Sequence, residues 1–274
     1  MIIRVYTGSG TSRNGAPLLV EELSKHLDAD VSGIDEHEMR GSENWKKETS
    51  TIMFAGQTVR GFKKALGDNV LNDIQNLVHE GAFNYIGICA GAAFASASIK
   101  YRVKEAPTWE EKKIQNSGLS FFNGLATGPC RSVSGLPFSG QSENLHLITV
   151  LSLNNSKSYN AFHWGGPALI PQGRMEEASI LSCLKSDGTP LAYRLKAGQG
   201  TVTLYSFHPE INANNVGRWA DVQHLPKDIR ATEMRRIEQM ASQMDGTVFT
   251  HFLEETGLKT DSSVATPSPY VFPI

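Results

Sequence analysis

Tyr85-Ile86-Gly87-Ile88-Cys89-Ala90-Gly91-Ala92-Ala93 is the stretch that decides the fold. An apolar run of strand type enters Gly-x-Cys-x-Gly, and small residues compatible with a helix follow over 90–98. This is the cysteine form of a nucleophile elbow. A sharp turn from strand to helix forces the central residue into a strained backbone conformation. Glycines two positions to either side then avoid collisions with the neighbouring chain. The thiol projects at the carboxyl end of a strand, where open α/β sheets place their sites. A helix N-terminus beneath it favours thiolate over thiol. The plainer alternative is a buried cysteine in a tight glycine turn.

Upstream, the chain alternates short apolar runs with helical spacing. Strands are expected at 2–6, 29–34, 51–54 and 83–88. Leu18, Leu19, Leu23 and Leu27 mark one helix, and Leu71, Ile74, Leu77 and Val78 another. This alternation predicts a parallel sheet with helices on both faces. Downstream of Lys100 the pattern changes. Runs at 121–126, 145–153, 158–164, 179–185, 191–196 and 201–207 read as strands, with turns at Ser186-Asp187-Gly188-Thr189 and Ala197-Gly198-Gln199-Gly200. Closely spaced strands predict antiparallel hairpins extending the sheet. Helical spacing returns at 227–244 and 248–253. A single domain is expected over 1–258, and the Ser/Thr/Pro-rich stretch 259–274 reads as a tail.

A thiolate needs a base. Thr203-Leu204-Tyr205-Ser206-Phe207-His208-Pro209-Glu210 offers one, because an apolar strand ends at His208 and Pro209 stops the ladder. In extended chain, residues two apart point the same way, so Glu210 is placed to orient the His208 ring. His208 shares a rim with Cys89 if their strands are parallel neighbours.

Together, Gly87-Ile88-Cys89-Ala90-Gly91 and Phe207-His208-Pro209-Glu210 resemble the class I glutamine amidotransferase superfamily. A narrower resemblance spans most of 1–211. Tyr6-Thr7-Gly8-Ser9-Gly10-Thr11-Ser12, the elbow through Ala92, Gly118-Leu119-Ser120-Phe121-Phe122-Asn123-Gly124, Thr127-Gly128-Pro129 and Tyr159-Asn160-Ala161-Phe162-His163-Trp164-Gly165-Gly166 are similar to the N-terminal amidotransferase-like domain of eukaryotic-type biotin protein ligases.

The resemblance implies a flavodoxin-like, mostly parallel sheet flanked by helices and extended by antiparallel strands and a C-terminal helical segment. It implies Cys89 as nucleophile, His208 as base, Glu210 as orienting carboxylate, and backbone amides at Gly56 and Ala90 as the oxyanion hole. Two departures stand out. Ala92, Ala93 and Phe94 follow the elbow where glutamine-using members carry a polar residue, so substrate glutamine would lose contacts. No Gly-Arg-Gly-Arg-type adenylate loop occurs, so the chain is read as the accessory domain and not as a ligase.

The Gly8-Ser9-Gly10 loop has Arg13 where a dinucleotide fingerprint needs its third glycine, so no nicotinamide cofactor is expected. Ser9 and Thr11 are candidate substrate contacts on that rim. His163 and Trp164 are either a pocket wall or hairpin packing. With 26 Lys+Arg against 28 Asp+Glu in 274 residues, the net charge of -2 argues against nucleic acid as partner. Three cysteines match neither a disulfide framework nor a zinc spacing, so no metal is expected. No secretory leader or membrane-length apolar run is present, which predicts a cytoplasmic protein with no membrane partner. The expected function is a cysteine hydrolase acting without cofactor on a small amide or acyl compound. The alternative is an inactive binding or regulatory module of the same fold that engages a protein partner.

Overall fold

The structure is a computed structural model that describes residues 1–56, 58–105, 108–116, 118–173, 177–220 and 225–258. In chain order its first part runs β1 (Ile2–Tyr6), α1 (Gly15–His26), β2 (Asp30–Ile34), α2 (Glu36–Gly41), α3 (Asn44–Glu48), β3 (Thr51–Gly56), α4 (Val59–His79), β4 (Asn84–Cys89) and α5 (Ala90–Phe94). There follow β5 (Ser96–Glu105), β6 (Thr108–Gln115), β7 (Phe122–Gly128), β8 (Leu145–Ser152), β9 (Ser158–Trp164), β10 (Ala168–Pro171), β11 (Ala178–Leu184), β12 (Pro190–Ala197) and β13 (Gly200–Tyr205). Helices α6 (Val216–Ala220), α7 (Lys227–Ala241) and α8 (Val248–Thr256) close the described chain.

Among the described residues, nine strands form the main sheet in the order β2-β1-β3-β4-β13-β12-β11-β8-β9. From β2 to β13 the neighbours are parallel. Every residue of β3 is buried, as expected of a central strand covered on both faces. From β13 outward to β9 the pairs are antiparallel, which is the hairpin extension that the turn signals predict.

The small-residue run after the elbow behaves differently from its expected helix over 90–98. Helix α5 stops at Phe94, and Ser96 already pairs with Phe122 as the first residue of β5. Alanines carry no long apolar stripe to hold a longer helix against the sheet, so strand pairing takes over. Strand β5 then builds a second sheet, ordered β10-β7-β5-β6. Its β5–β6 hairpin and β10 are not among the strands expected from the sequence. Side chains of both sheets share one apolar cluster, in which Phe122, Ala126 and Leu169 join Phe54, Tyr85 and Tyr193. Helix α7 ends at Ala241, short of the expected 244, and α8 runs on to Thr256. The expected tail over 259–274 lies outside the described residues.

Candidate active site

Cys89 is the last residue of β4 and takes φ 54° and ψ −108°, a positive φ outside the regions ordinary side chains prefer. Its two glycines are fixed by close approach. A Cβ at Gly91 would collide with the Phe54 carbonyl oxygen, and one at Gly87 would lie 2.6 Å from the Gly91 backbone. The Gly-x-Cys-x-Gly spacing is therefore what permits the turn to fold back over β3. Gly56 stands level with Cys89 in the β3–β4 register, and Ala90 opens α5 directly after the thiol. Both candidate oxyanion donors thus border Cys89.

Strand β13 lies beside β4 in parallel, with Tyr205 opposite Ile88. Three residues further on, His208 comes over the same carboxyl-end rim. Its backbone N–H donates to the Phe162 carbonyl at 2.8 Å, which ties it to β9. Its ring Nδ1 donates to Glu210 Oε1 at 2.8 Å, and both side chains are buried. Asn215 in turn donates to the Glu210 backbone carbonyl at 2.8 Å and holds the Pro209–Glu210 turn. The carboxylate on Nδ1 leaves Nε2 to face other chemistry. Nε2 faces the Cys89 sulfur, which lies near enough to interact with the ring as a hydrogen-bonding partner and to act on its charge. Burial alone would lower the His208 pKa. The Glu210 carboxylate and the Cys89 sulfur outweigh it and raise the imidazole to about 10.

The thiol itself is 6% exposed and donates to the Trp164 carbonyl at 3.7 Å. The Trp164 indole N–H donates to the Gln141 carbonyl at 3.1 Å. Its ring stands edge-on to Trp219, with centroids 4.4 Å apart. Trp219 also packs 5.2 Å from the His208 ring. Trp164 therefore meets the thiol through its backbone, a contact that no side-chain motif announces. His163 is fully buried, and burial together with His208 and His146 lowers it to about 3, so it stays neutral. It lies inside the protein and not on an open cleft wall.

Ser9 and Thr11 are occupied locally. Ser9 Oγ donates to Glu36 Oε1 at 2.5 Å, and its N–H donates to Glu36 Oε2 at 3.1 Å. Thr11 Oγ1 donates to the Gly8 carbonyl at 2.7 Å. Against the cost of burial, these bonds from Ser9 and one from Tyr6 hold the Glu36 carboxyl at about 2. The structure thus gathers Cys89, His208, Glu210, Gly56, Ala90 and the Trp164 backbone, and leaves Ser9 and Thr11 tied into their own loop. Trp219 and Tyr101 join the surroundings without any sequence motif that marks them.

Among the described residues, no group of three or more His, Cys, Asp or Glu side chains is arranged to hold a metal ion. Among them also, no helix is long and apolar enough to cross a membrane.

A family model described as the N-terminal region of biotin-protein ligase matches residues 1–273. The biotin–protein ligase of Schizosaccharomyces pombe is 23% identical over 227 residues, a match covering 78% of this chain and 34% of that protein. The chain thus spans about a third of the length of that curated relative. Among solved structures, a glutamine amidotransferase from Thermotoga maritima superposes with a TM-score of 0.54 at 14% identity, covering 94% of this chain and 98% of that one. Another glutamine amidotransferase gives 0.52 at 17% identity, over 88% of this chain and all 100% of that one. At these identities the likeness is one of fold.

Proposed function

Because the chain belongs to the family of biotin-protein ligase N-terminal domains, we propose that it works as an amidotransferase-like cysteine hydrolase, with Cys89, His208 and Glu210 as its triad. The observation that carries this reading is the buried His208–Glu210 contact at 2.8 Å on the strand next to the elbow cysteine. In this scheme His208 Nε2 takes the thiol proton, and the sulfur attacks the carbonyl carbon of an amide or related acyl compound. The C=O electron pair moves onto oxygen, where the amides of Ala90 and of the Gly56 region receive it. Donors of this kind contribute about 3 kcal/mol each. His208 then returns its proton to the leaving nitrogen as the C–N bond breaks. Water attacks the thioester and regenerates the thiol.

Glu210 keeps the ring oriented and its charge balanced throughout. The chemistry calls for no metal or cofactor. A small, uncharged or mildly polar amide suits the site, because the thiol meets the Trp164 carbonyl and Trp219 packs against both Trp164 and His208. The three free thiols fit a reducing compartment such as the cytoplasm.

The test is a screen of amides and esters with intact-mass detection of an acyl adduct. The expected result is an adduct on Cys89 that disappears in Cys89→Ser and fails to form in His208→Ala. A screen in which every adduct survives Cys89→Ser would overturn the reading. One observation favours a second reading, a binding or regulatory module that engages a protein partner: the thiol is nearly covered and is held by a carbonyl. That reading expects a Cys89 that alkylates like an ordinary thiol, with a pKa of about 8.5, whether or not His208 is present.

A further inference from the structure

Glu210 is not held in place by its own side chain. Its carboxylate is fully buried and accepts one hydrogen bond, from His208 Nδ1 to Oε1, while Oε2 has no partner among the described residues. A carboxylate with a single bond takes its direction from its backbone, and this backbone lies beyond the sheet, in the turn after β13. Within that turn the Ile211 N–H reaches the His208 carbonyl only at 3.3 Å, which is long for such a bond. The short ties come from a side chain. Asn215 Nδ2 donates to the Glu210 carbonyl at 2.8 Å, and Asn215 Oδ1 accepts the Asn212 N–H at 2.8 Å.

Asn215 is 4% exposed. Asparagine is the shortest side chain that carries a donor and an acceptor on separate atoms, which is what bridging these two peptides requires. Its backbone is used as well. The Asn215 carbonyl accepts the N–H groups of Arg218 and Trp219, both at 3.0 Å, and so starts α6. Helix α6 carries Trp219, whose ring packs 5.2 Å from the His208 ring and 4.4 Å from that of Trp164. One buried residue thus bonds both the peptide that aims Glu210 and the helical turn that carries Trp219.

We infer that Asn215 is a positioning residue of the candidate site: it fixes the Glu210 carboxylate on His208 Nδ1 and seats Trp219 against the same imidazole. This role rests on the reading of Cys89, His208 and Glu210 as a working triad. The titratable groups facing His208 are Glu210 on its own turn, Cys89 at the end of β4 and His163 on β9. Asn215 bonds to the first of these. A carboxylate within bonding distance favours the imidazolium. Without the Asn215 amide, the Glu210 peptide is free to turn, its carboxylate spends less time on Nδ1, and the ring binds its proton less tightly.

The test is the His208 titration midpoint, read from the ring 15N shifts of the full chain in wild type, Asn215→Ala, Glu210→Gln and the double variant. The iodoacetamide alkylation rate of Cys89 against pH is followed alongside, in wild type and His208→Ala. Asn215→Ala is expected to lower the midpoint by about one pH unit, a hold on the proton about tenfold weaker. It should lower it no further once Glu210→Gln is present. A merely structural Asn215 would lower Tm and leave the midpoint where it is, which overturns the inference. A shift of equal size with and without Glu210→Gln also overturns it, because that effect reaches the ring by another route. Should Asn215→Ala fail to fold, Asn215→Ser decides. Its side chain is too short to bridge both peptides, so a midpoint below wild type is expected and an unchanged one overturns the inference. Alkylation tells the two failures apart. A Cys89 profile that is that of an ordinary thiol and ignores His208→Ala defeats the triad reading and this role with it. A profile that responds to His208→Ala, beside a midpoint unmoved by Asn215→Ala, defeats the role of Asn215 alone.

Discussion

Glu210 Oε1 and His208 Nδ1 lie 2.8 Å apart, in side chains that are 0% and 5% exposed. A carboxylate this deep is sustained by the charge it faces, and the same charge makes the pair depend on pH. His208 titrates in the fold at about 10, above its ordinary 6.5. Its contribution to stability is therefore complete below about pH 6.5 and is lost as the pH rises through about 10. The full rise corresponds to at most about 5 kcal/mol, and part of it belongs to Cys89. Glu210→Gln is expected to flatten the decline of Tm between pH 6.5 and 10. A variant that declines as steeply as wild type would sink this account.

The glycines of the elbow should be intolerant for steric reasons alone. Gly91→Ala drives a methyl into the Phe54 carbonyl, and Gly87→Ala places one 2.6 Å from the Gly91 backbone. Backbone cannot rotate aside as a side chain does, so each substitution should cost about 3 kcal/mol or more. Urea denaturation of the purified variants measures this. Midpoints within experimental error of wild type would show that the turn has slack.

Glu255 stands apart from the candidate site and gives an independent check on the fold. Burial on the inner side of α8 raises it to about 7, with Tyr205 donating to Oε2 at 3.2 Å and Oε1 left unpartnered among the described residues. A carboxyl whose folded pKa lies above the unfolded 4.5 loses stability as pH rises from about 4.5 to about 7, and the cost stays constant above that. Glu255→Gln retains the Tyr205 bond and removes the charge. Its Tm should exceed that of wild type at pH 8, by a free energy of up to about 3 kcal/mol, and converge with it near pH 4. Equal Tm values at pH 8 would contradict the assignment.

Ser9→Ala tests whether the β1 loop is a lock or a substrate contact. The side-chain bond to Glu36 at 2.5 Å should be worth about 1–2 kcal/mol of stability. Because Glu36 is depressed to about 2, its contribution is present above the unfolded 4.5 and fades as pH falls through about 2. Loss of the Ser9 bond should move that acid limb upward. If Ser9→Ala leaves stability and its acid limb untouched but raises the KM of whatever substrate the screen finds, Ser9 is a substrate contact instead.

What the sequence disclosed depended on how local the cause was. The elbow was legible because the collisions that require Gly87 and Gly91 arise within a few residues of Cys89 and from the strand beside it. His208 and Glu210 were legible because one proline and a two-residue spacing fix their relation. The β5–β6 hairpin was not. Its first half opens in alanines and serines that suit a helix as well, and β6 carries Glu110, Glu111, Lys112 and Lys113 in succession, with no alternation to reveal a strand. Trp219 meets His208 and Trp164, and Tyr101 comes near the thiol, only through tertiary packing. The Trp164 contact is made by a carbonyl that every residue possesses, so no choice of side chain could advertise it.

The ladder between β4 and β13 joins Tyr85 to Val202, residues separated by 117 positions of chain (202 − 85). Everything from α5 to β12 must therefore be synthesised before the thiol meets its imidazole. A contact so distant in sequence is among the slower ones to close, because the loop entropy must be met first. On a ribosome, Cys89 emerges as an ordinary thiol and remains one through most of translation. Whatever reactivity the pair confers is thus withheld from the nascent chain and granted only to a molecule whose main sheet is complete.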